Sequence, residues 1–177
     1  MRSLSRKDGD FMIRICNFEE YKSDPFGIPT VISRTVKSGY WKEGWVHWTA
    51  LAPSQDLFNR YQAWRHDYVW SQELFDEVYV PQFIHDLVWQ ISGEGAANLN
   101  RLYLERGKVD RSLICHCTNE LMCHRMIIAG LLMGCNVPVQ NYDTSPIPER
   151  MVQYWEMYKA ERKKRDESPA WKKIRPS

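Results

Sequence analysis

Residues 115–125, with the sequence CHCTNELMCHR, concentrate the residue types that can carry chemistry in this chain. The segment contains three cysteines, two histidines and one arginine, which offer thiols, imidazoles and a guanidinium. Groups of these types can bind an anion, act as nucleophiles or ligate a metal ion. The segment is therefore the first candidate for a functional site.

Apolar residues on both sides predict that this segment is a loop between a strand and a helix. Residues 112–114 are Ser-Leu-Ile, and residues 126–133 are apolar at helical spacing. In α/β proteins a loop that follows a strand lies at the carboxyl edge of the sheet, where ligands usually bind. The N–H groups in the first turn of the next helix favour an anion at the same place.

Cys123 has the position expected of a reactive thiol. The helix start, together with His124 and Arg125, should lower the pKa of the Cys123 thiol and favour its thiolate. Cys123 is then a candidate nucleophile, or a redox thiol with Cys117 as its resolving partner. Alternatively, His124 and Arg125 bind an anion while Cys123 only packs. The spacing does not fit a Cys-based phosphatase loop, because seven residues separate Cys117 from Arg125.

The loop also contains the ligand types of a zinc site, which are Cys115, Cys117, Cys123 and His124. Cys115 and Cys117 are expected to reach one ion only if the strand ends between them, and adjacent residues such as Cys123 and His124 diverge on a helix. We therefore predict no cofactor and little stoichiometric zinc in the purified protein, with zinc as the alternative. Cys115 is equally interpreted as a small buried hydrophobe.

Three residues outside the loop are candidates for binding or proton transfer. Arg34 follows the second predicted strand and is a candidate anion ligand. His66 precedes Asp67, which suggests an oriented acid–base pair, although Asp67 also has the position of a helix cap. Asp143 follows the last predicted strand and is interpreted as a candidate general base or a turn residue.

Aromatic residues are frequent, with eight tryptophans in 177 residues. Large flat side chains fill cores, and they also stack on bases or sugars in binding clefts. Trp41, Trp45 and Trp64 are the candidates for stacking on a ligand, with core packing as the alternative.

The order of elements predicts an α/β fold. Strands are expected at 11–16, 30–36, 111–117 and 137–142, with an aromatic loop at 37–48. Helices are expected after Ser54 as N-cap, within 70–91 with an interruption at Pro81, and at 96–106, 122–134 and 149–159. We predict one α/β domain over 1–160, with a mainly parallel sheet of about four strands flanked by helices in Rossmann-like or flavodoxin-like layering.

Charge and cysteine usage limit the partners and the compartment. The net charge is +2, from 24 basic and 22 acidic residues, which argues against nucleic-acid binding along the whole chain. Residues 161–177 are predicted to be a basic, flexible tail with weak nucleic-acid contact at most. Residues 1–10 lack an apolar leader segment, and no apolar run is long enough to span a membrane. Five cysteines then indicate reduced thiols in the cytoplasm.

Two separated stretches carry a family pattern. The first is Trp48-Thr-Ala-Leu-Ala-Pro-Ser54, followed by His66-Asp67 and Trp70, and the second is Leu113-Ile-Cys115 followed by Cys123-His124-Arg125. Together they resemble the domain of unknown function 488 family, especially its YeaO-like branch, over residues 30–142. Arg34 lies where that family has an arginine after a strand. The resemblance implies the fold rather than an activity.

The leading functional prediction is an enzyme acting on a phosphate-bearing ligand, such as a nucleotide or nucleic-acid component. Cys123 would react, Asp143 or His66 would move protons, and the ligand would contact Arg34, Cys115, His124, Arg125 and the three tryptophans. If this is right, the loop residues and Arg34 surround one accessible pocket. The alternatives are a non-catalytic module that binds a nucleotide or a protein, and a zinc-stabilised interaction domain. The oligomeric state is not indicated.

Overall fold

The computed structural model describes residues 11–36, 38–119 and 121–174. Their sheet has five parallel strands in the order β3-β2-β4-β1-β5. The strands are β1 (Ile13–Asn17), β2 (Ile28–Val31), β3 (Val46–His47), β4 (Arg111–Cys115) and β5 (Val139–Asn141). The predicted α/β fold with a mainly parallel sheet is confirmed, and the four predicted strands correspond to β1, β2, β4 and β5.

The strand ends differ from the predicted ones in ways that shape the carboxyl edge. The second strand stops at Val31 rather than residue 36, so that residues 33–35 bend away from the sheet. The third predicted strand, β4, stops at Cys115 rather than residue 117. β3 lies inside the predicted aromatic loop, and its two residues are too few to show an alternating pattern.

Eight α-helices are described within these residues. They are α1 (Phe18–Ser23), α2 (Gln55–His66), α3 (Gln72–Leu74), α4 (Val80–Val88), α5 (Glu94–Glu105), α6 (His124–Gly134), α7 (Gln153–Glu167) and α8 (Pro169–Ile174). The Ser54 hydroxyl accepts a hydrogen bond from the Leu57 N–H at 3.2 Å, which confirms the predicted N-cap of α2.

The helical segment 72–88 continues through Pro81, and the predicted interruption there is wrong. A π-helical turn, Phe75–Tyr79, joins α3 to α4, and the Val80 N–H bonds to the Phe75 carbonyl oxygen. Pro81 then occupies the first turn of α4, where its missing N–H costs little. The wider turn thus absorbs the proline without ending the helix.

The sheet is covered on both faces. α6 and the helices between residues 55 and 105 pack on one face, where the main apolar cluster includes Leu113, Cys115 and Ile127. α1 covers the other face, where Phe18 and Ile114 belong to a smaller cluster. These layers hold β4, at the centre of the sheet, rigidly in place beneath its loop.

The last described residues form the helices α7 and α8. α7 continues to Glu167, and the Glu161 carboxylate accepts a hydrogen bond from Trp89 Nε1 at 2.8 Å. Arg165 Nη1 donates to the Val88 carbonyl oxygen at 3.0 Å. The part of the predicted basic tail that the structure describes is therefore docked on α4. Residues 1–10, which carry the prediction about a leader segment, lie outside the described residues.

None of the helices in the described part of the chain is long and apolar enough to cross a membrane.

Candidate functional site

A cleft of about 780 Å³ opens at the carboxyl ends of β2 and β4. The bend after β2 contributes Arg34, α2 contributes Tyr61 and Arg65, and Trp70 closes one side. The floor comes from the loop between β4 and α6, through Cys117, Thr118, Asn119, Met122, Cys123 and His124. The predicted loop therefore does lie at a cleft on the carboxyl edge of the sheet.

Three thiols and one imidazole converge at the floor of this cleft. We call this group, formed by Cys115, Cys117, Cys123 and His124, the thiol–imidazole cluster. Its possible ligand atoms all lie within 4.8 Å of one another. The Sγ atoms of Cys115 and Cys123 are 3.3 Å apart, and Cys123 Sγ is 3.8 Å from His124 Nδ1. The cluster can hold a metal ion.

The geometric objection to such a cluster is wrong for two local reasons. β4 ends at Cys115, so Cys117 lies in the loop, where the chain can turn it back toward Cys115 instead of holding it about 6.6 Å farther along one strand. Cys123 precedes α6 as its N-cap, with the extended angles φ −134° and ψ 145°. Cys123 and His124 therefore do not diverge as two residues on a helix would.

Backbone contact determines the tautomer of His124. The His124 Nε2–H donates to the Ile32 carbonyl oxygen at 2.8 Å, because a carbonyl can only accept. Nδ1 is then the atom with a lone pair, and it faces Cys123. Burial lowers the pKa of His124, which keeps the imidazole neutral and suited to ligation.

Arg125 lies behind the cluster rather than in the cleft. Its side chain is 1% exposed, and Nη1 is 3.8 Å from Cys115 Sγ and 3.9 Å from Glu20 Oε2. Cys115 is buried as well, and neither residue is among the described residues that line the cleft. Of the five residues predicted to surround one pocket, Arg34, Cys123 and His124 line it, whereas Cys115 and Arg125 support it from below.

The thiolate is favoured at Cys115 and not at Cys123. Burial raises the pKa of Cys115, but hydrogen bonds from the Cys117 and Cys123 thiols, together with Arg125, outweigh it and lower that pKa well below the usual value. Burial and the contact with Cys115 raise the pKa of Cys123. The Cys115 contact likewise raises the pKa of Cys117 to about 12. The expectation that the helix start lowers the pKa of Cys123 is wrong.

The walls of the cleft combine cations and aromatic rings. Arg34 donates to the Pro53 carbonyl oxygen at 2.9 Å, which holds its guanidinium at the rim. Arg65 lies over the Tyr61 ring, 5.7 Å from the centroid, and Tyr61 meets Trp70 edge to face at 4.9 Å. Sequence reasoning missed Tyr61, Arg65 and Trp70. The spacing of Tyr61 and Arg65 by one helical turn could have indicated a shared face.

The three tryptophans proposed for stacking lie elsewhere in the described structure. Trp41 is half exposed beside His47, and Trp45 packs against Phe18 on the opposite face of the sheet. Trp64 stacks on Trp70 at 5.9 Å and lies outside the described lining of the cleft. Core or surface packing is therefore what the structure shows for all three.

The two proton-transfer candidates also lie outside the cleft. His66 does meet Asp67 at 3.0 Å, but its side chain is 89% exposed at the end of α2. Asp143 follows β5 at the far edge of the sheet and accepts a hydrogen bond from the Ser145 N–H at 2.9 Å, as a turn residue does. Neither side chain is among the described residues that line the cleft.

Comparison with protein families gives a match over most of the chain. The family described as "Active DUF488-N3 subclade" matches residues 13–134, which include β1 to β4, α6 and the whole thiol–imidazole cluster. No curated protein and no solved structure matches. The assignment to the YeaO-like branch stays a prediction. Because the match covers most of the chain, this protein belongs to the domain of unknown function 488 family.

Proposed function

We propose that this protein is an enzyme that binds a phosphate-bearing ligand, such as a nucleotide, in the cleft. The observation that carries the proposal is that one cleft contains Arg34 and Arg65, aromatic rings, and the cleft-facing groups of Cys117, Cys123 and His124. Anion binding, ring stacking and thiol or imidazole chemistry are then available to a single ligand.

The charge of the cleft favours an anion. Two arginines line it, and none of its described lining residues is acidic. Guanidinium groups form strong paired hydrogen bonds with phosphate oxygens. A phosphate group at the rim, between Arg34 and Arg65, would therefore be attracted from solution and oriented.

The size and the lining of the cleft favour a ligand with a ring system. Its volume of about 780 Å³ lies within the range of about 300–1,000 Å³ that is common for small-molecule sites. Phe58, Tyr61, Trp70 and Tyr79 supply apolar, aromatic surface beside the arginines. A base or sugar against these rings and a phosphate at the arginines would use both parts of the wall.

The floor supplies groups that can react. Cys117, Cys123 and the neutral imidazole of His124 face the cleft, so a ligand held by the walls would have its reacting bond near them. Catalysis at this floor also agrees with the word "active" in the description of the matching subclade. A non-catalytic binding module would use the same walls without the floor.

Calorimetric titration with AMP and adenosine tests the ligand class. We expect AMP to bind more tightly than adenosine, and Arg65→Ala to remove about tenfold or more of the AMP affinity. Arg60→Ala is the matched control, because Arg60 lies on the same helix over Trp64, outside the described lining. Equal affinity for AMP and adenosine, or equal effects of the two substitutions, would contradict the proposal.

Turnover separates an enzyme from a binder. Incubation with AMP, followed by chromatography of the products, should show conversion that Cys123→Ala or His124→Ala abolishes. If the protein instead binds a phosphate-bearing compound that is carried through purification, and converts neither that compound nor AMP, the binding module is favoured.

A second proposal is that the thiol–imidazole cluster binds zinc. Tetrahedral Zn–S bonds of about 2.3 Å place ligand atoms about 3.8 Å apart, close to the 3.3 Å and 3.8 Å separations in the cluster. One zinc with three thiolates carries a net charge of −1, which the adjacent Arg125 guanidinium balances. Elemental analysis of the purified protein should then give one zinc per chain, and absence of zinc after zinc supplementation would contradict this.

A further inference from the structure

We propose that Cys117 is the exchangeable ligand of the metal, so that an oxygen atom of water or of a phosphate in the cleft can take its place. This inference rests on the proposed zinc site and adds a function to it. A structural zinc site keeps four protein ligands, whereas a catalytic one has three firm ligands and one open position. The cluster resembles a catalytic site in which Cys115, Cys123 and His124 are the three firm ligands and Cys117 occupies the fourth, exchangeable position.

Three members of the cluster are held by regular structure. Cys115 is the last residue of β4 and is fully buried between neighbouring strands. Cys123 occupies the N-cap position of α6, with 1% of its surface exposed. His124 is the first residue of α6, and its ring is fixed by the hydrogen bond to Ile32. A strand, a helix start and this hydrogen bond therefore position three of the four ligand atoms.

Cys117 differs from them in both respects. It lies in the loop between β4 and α6, in neither a helix nor a strand. Although Cys123 and His124 also line the cleft, Cys117 is the only member of the described cluster that is not fully buried. Movement of its side chain would therefore open the metal toward the cleft without disturbing the sheet or α6.

The exchange conserves atoms and charge. The bond between the metal and Cys117 Sγ breaks, and the sulfur keeps the electron pair. Water supplies an oxygen to the metal and a proton to the Cys117 thiolate, so that the net charge of the site does not change. When a phosphate oxygen enters instead, a water molecule of the bulk solvent would give its proton to the thiolate and become hydroxide, which the buffer neutralises. No oxidant or reductant is needed.

The direction of opening matches the walls of the cleft. Oxygen donors that enter from the cleft pass Arg34 and Arg65, which favour anions. The metal would then polarise the same phosphate group that the arginines bind, which is a recognised way for a metal ion to assist catalysis. Arg125 stays on the opposite side of the cluster, beside Cys115.

Cobalt(II) substitution of the full chain tests the inference by visible absorption. Cys117→Ala should still bind one cobalt per chain with an affinity reduced by no more than about 100-fold, whereas Cys115→Ala should lose about 1,000-fold or more. Inorganic phosphate should shift the ligand-field bands of the Cys117→Ala protein. Circular dichroism of each variant checks that the fold is retained.

The unsubstituted protein gives an independent measurement, should Cys115→Ala fail to fold. Phosphate should reduce the sulfur-to-cobalt charge-transfer band from the intensity of three thiolates to that of two. An unchanged band, or a Cys117→Ala protein that loses cobalt as completely as Cys115→Ala does, would overturn the inference while the zinc site stands. Failure of the unsubstituted protein to bind zinc or cobalt would instead overturn the zinc proposal.

Discussion

Arg125→Met should weaken zinc binding although Arg125 does not ligate the metal. The guanidinium Nη1 lies 3.8 Å from Cys115 Sγ, and two unit charges at that distance attract by about 4 kcal/mol at an effective dielectric constant of about 20. Glu20, 3.9 Å from the same nitrogen, repels the thiolate equally with and without Arg125 and so does not change the effect of the substitution. Rearrangement of water and side chains around the variant lowers the effect, and we expect a loss of about 2–3 kcal/mol in zinc-binding free energy, which is about 100-fold in the dissociation constant.

The assay is competition for zinc with a chromophoric chelator at constant pH, using the full chain. Methionine keeps most of the side-chain volume, so the change removes the charge with little change in packing. Arg14→Met is the matched control, because Arg14 is also a buried arginine but pairs with Asp24 at 2.9 Å, away from the cluster. We expect the control to destabilise the protein and to leave the zinc constant within about threefold.

Two results would refute this reasoning. If Arg125→Met binds zinc as tightly as the unsubstituted protein, the guanidinium does not balance the charge of the thiolates. If Arg14→Met weakens zinc binding to the same extent, the effect comes from general destabilisation. Thermal unfolding of both variants with and without zinc separates the two causes, since a ligand stabilises only the form that binds it.

Three other predictions concern stability and reactivity. In urea unfolding, Glu105→Gln should lower the free energy of unfolding by about 3 kcal/mol, because it leaves the buried Arg111 guanidinium without its carboxylate. Arg101→Ala, which removes the exposed partner, should lower it by under about 1 kcal/mol, and equal losses would refute this. Burial raises the pKa of Glu105, but the two arginines outweigh burial and lower it. The stabilisation by Glu105 should therefore be complete above the ordinary carboxylate pKa and disappear as the pH falls through the lowered pKa. Unfolding of Glu105→Gln should depend less on pH in this range. Gly130→Ala should lower the free energy of unfolding by about 1–3 kcal/mol, because the added Cβ would overlap the Met151 carbonyl group just before α7. An unchanged unfolding midpoint would contradict this contact. Iodoacetamide should modify Cys117 before the two buried thiols of the cluster, as peptide mass spectrometry would show, and equal rates would argue against its exposure.

The core of the fold could be predicted because its signals are local and strong. The apolar run before Cys115 and the helical pattern after Arg125 locate β4 and α6 within a few residues. The tight succession of strand, helix and strand then predicts that β4 and β5 run parallel in a covered sheet, although β1 lies between them. Ser54 as N-cap could be identified for the same reason, because capping depends on the residues next to it.

The four members of the thiol–imidazole cluster could be named from the sequence, but their convergence could not be predicted, since it depends on element ends that sequence patterns locate only roughly. The end of β4 decides whether Cys117 is held about 6.6 Å from Cys115 along one strand or turns back to meet it. Likewise, one position decides whether Cys123 is a cap or part of the helix. The aromatic wall was missed for another reason: Trp41, Trp45 and Trp64 look equivalent to Trp70 in the sequence, and only tertiary packing distinguishes them.

The contact between Glu20 and Arg125 explains why the cleft does not lie in the crevice between β1 and β4, where open α/β sheets usually bind ligands, but beside it. The chain leaves β1 through α1 on one face and leaves β4 through α6 on the other, so these central strands form the switch point where open α/β sheets usually bind ligands. Glu20 of α1 and Arg125 of α6 approach to 3.9 Å across that point. With this crevice bridged, the accessible space lies between β4, the bend after β2 and α2. Arg125 therefore lies beneath the cluster, beside Cys115, and the positive charges that line the cleft are those of Arg34 and Arg65.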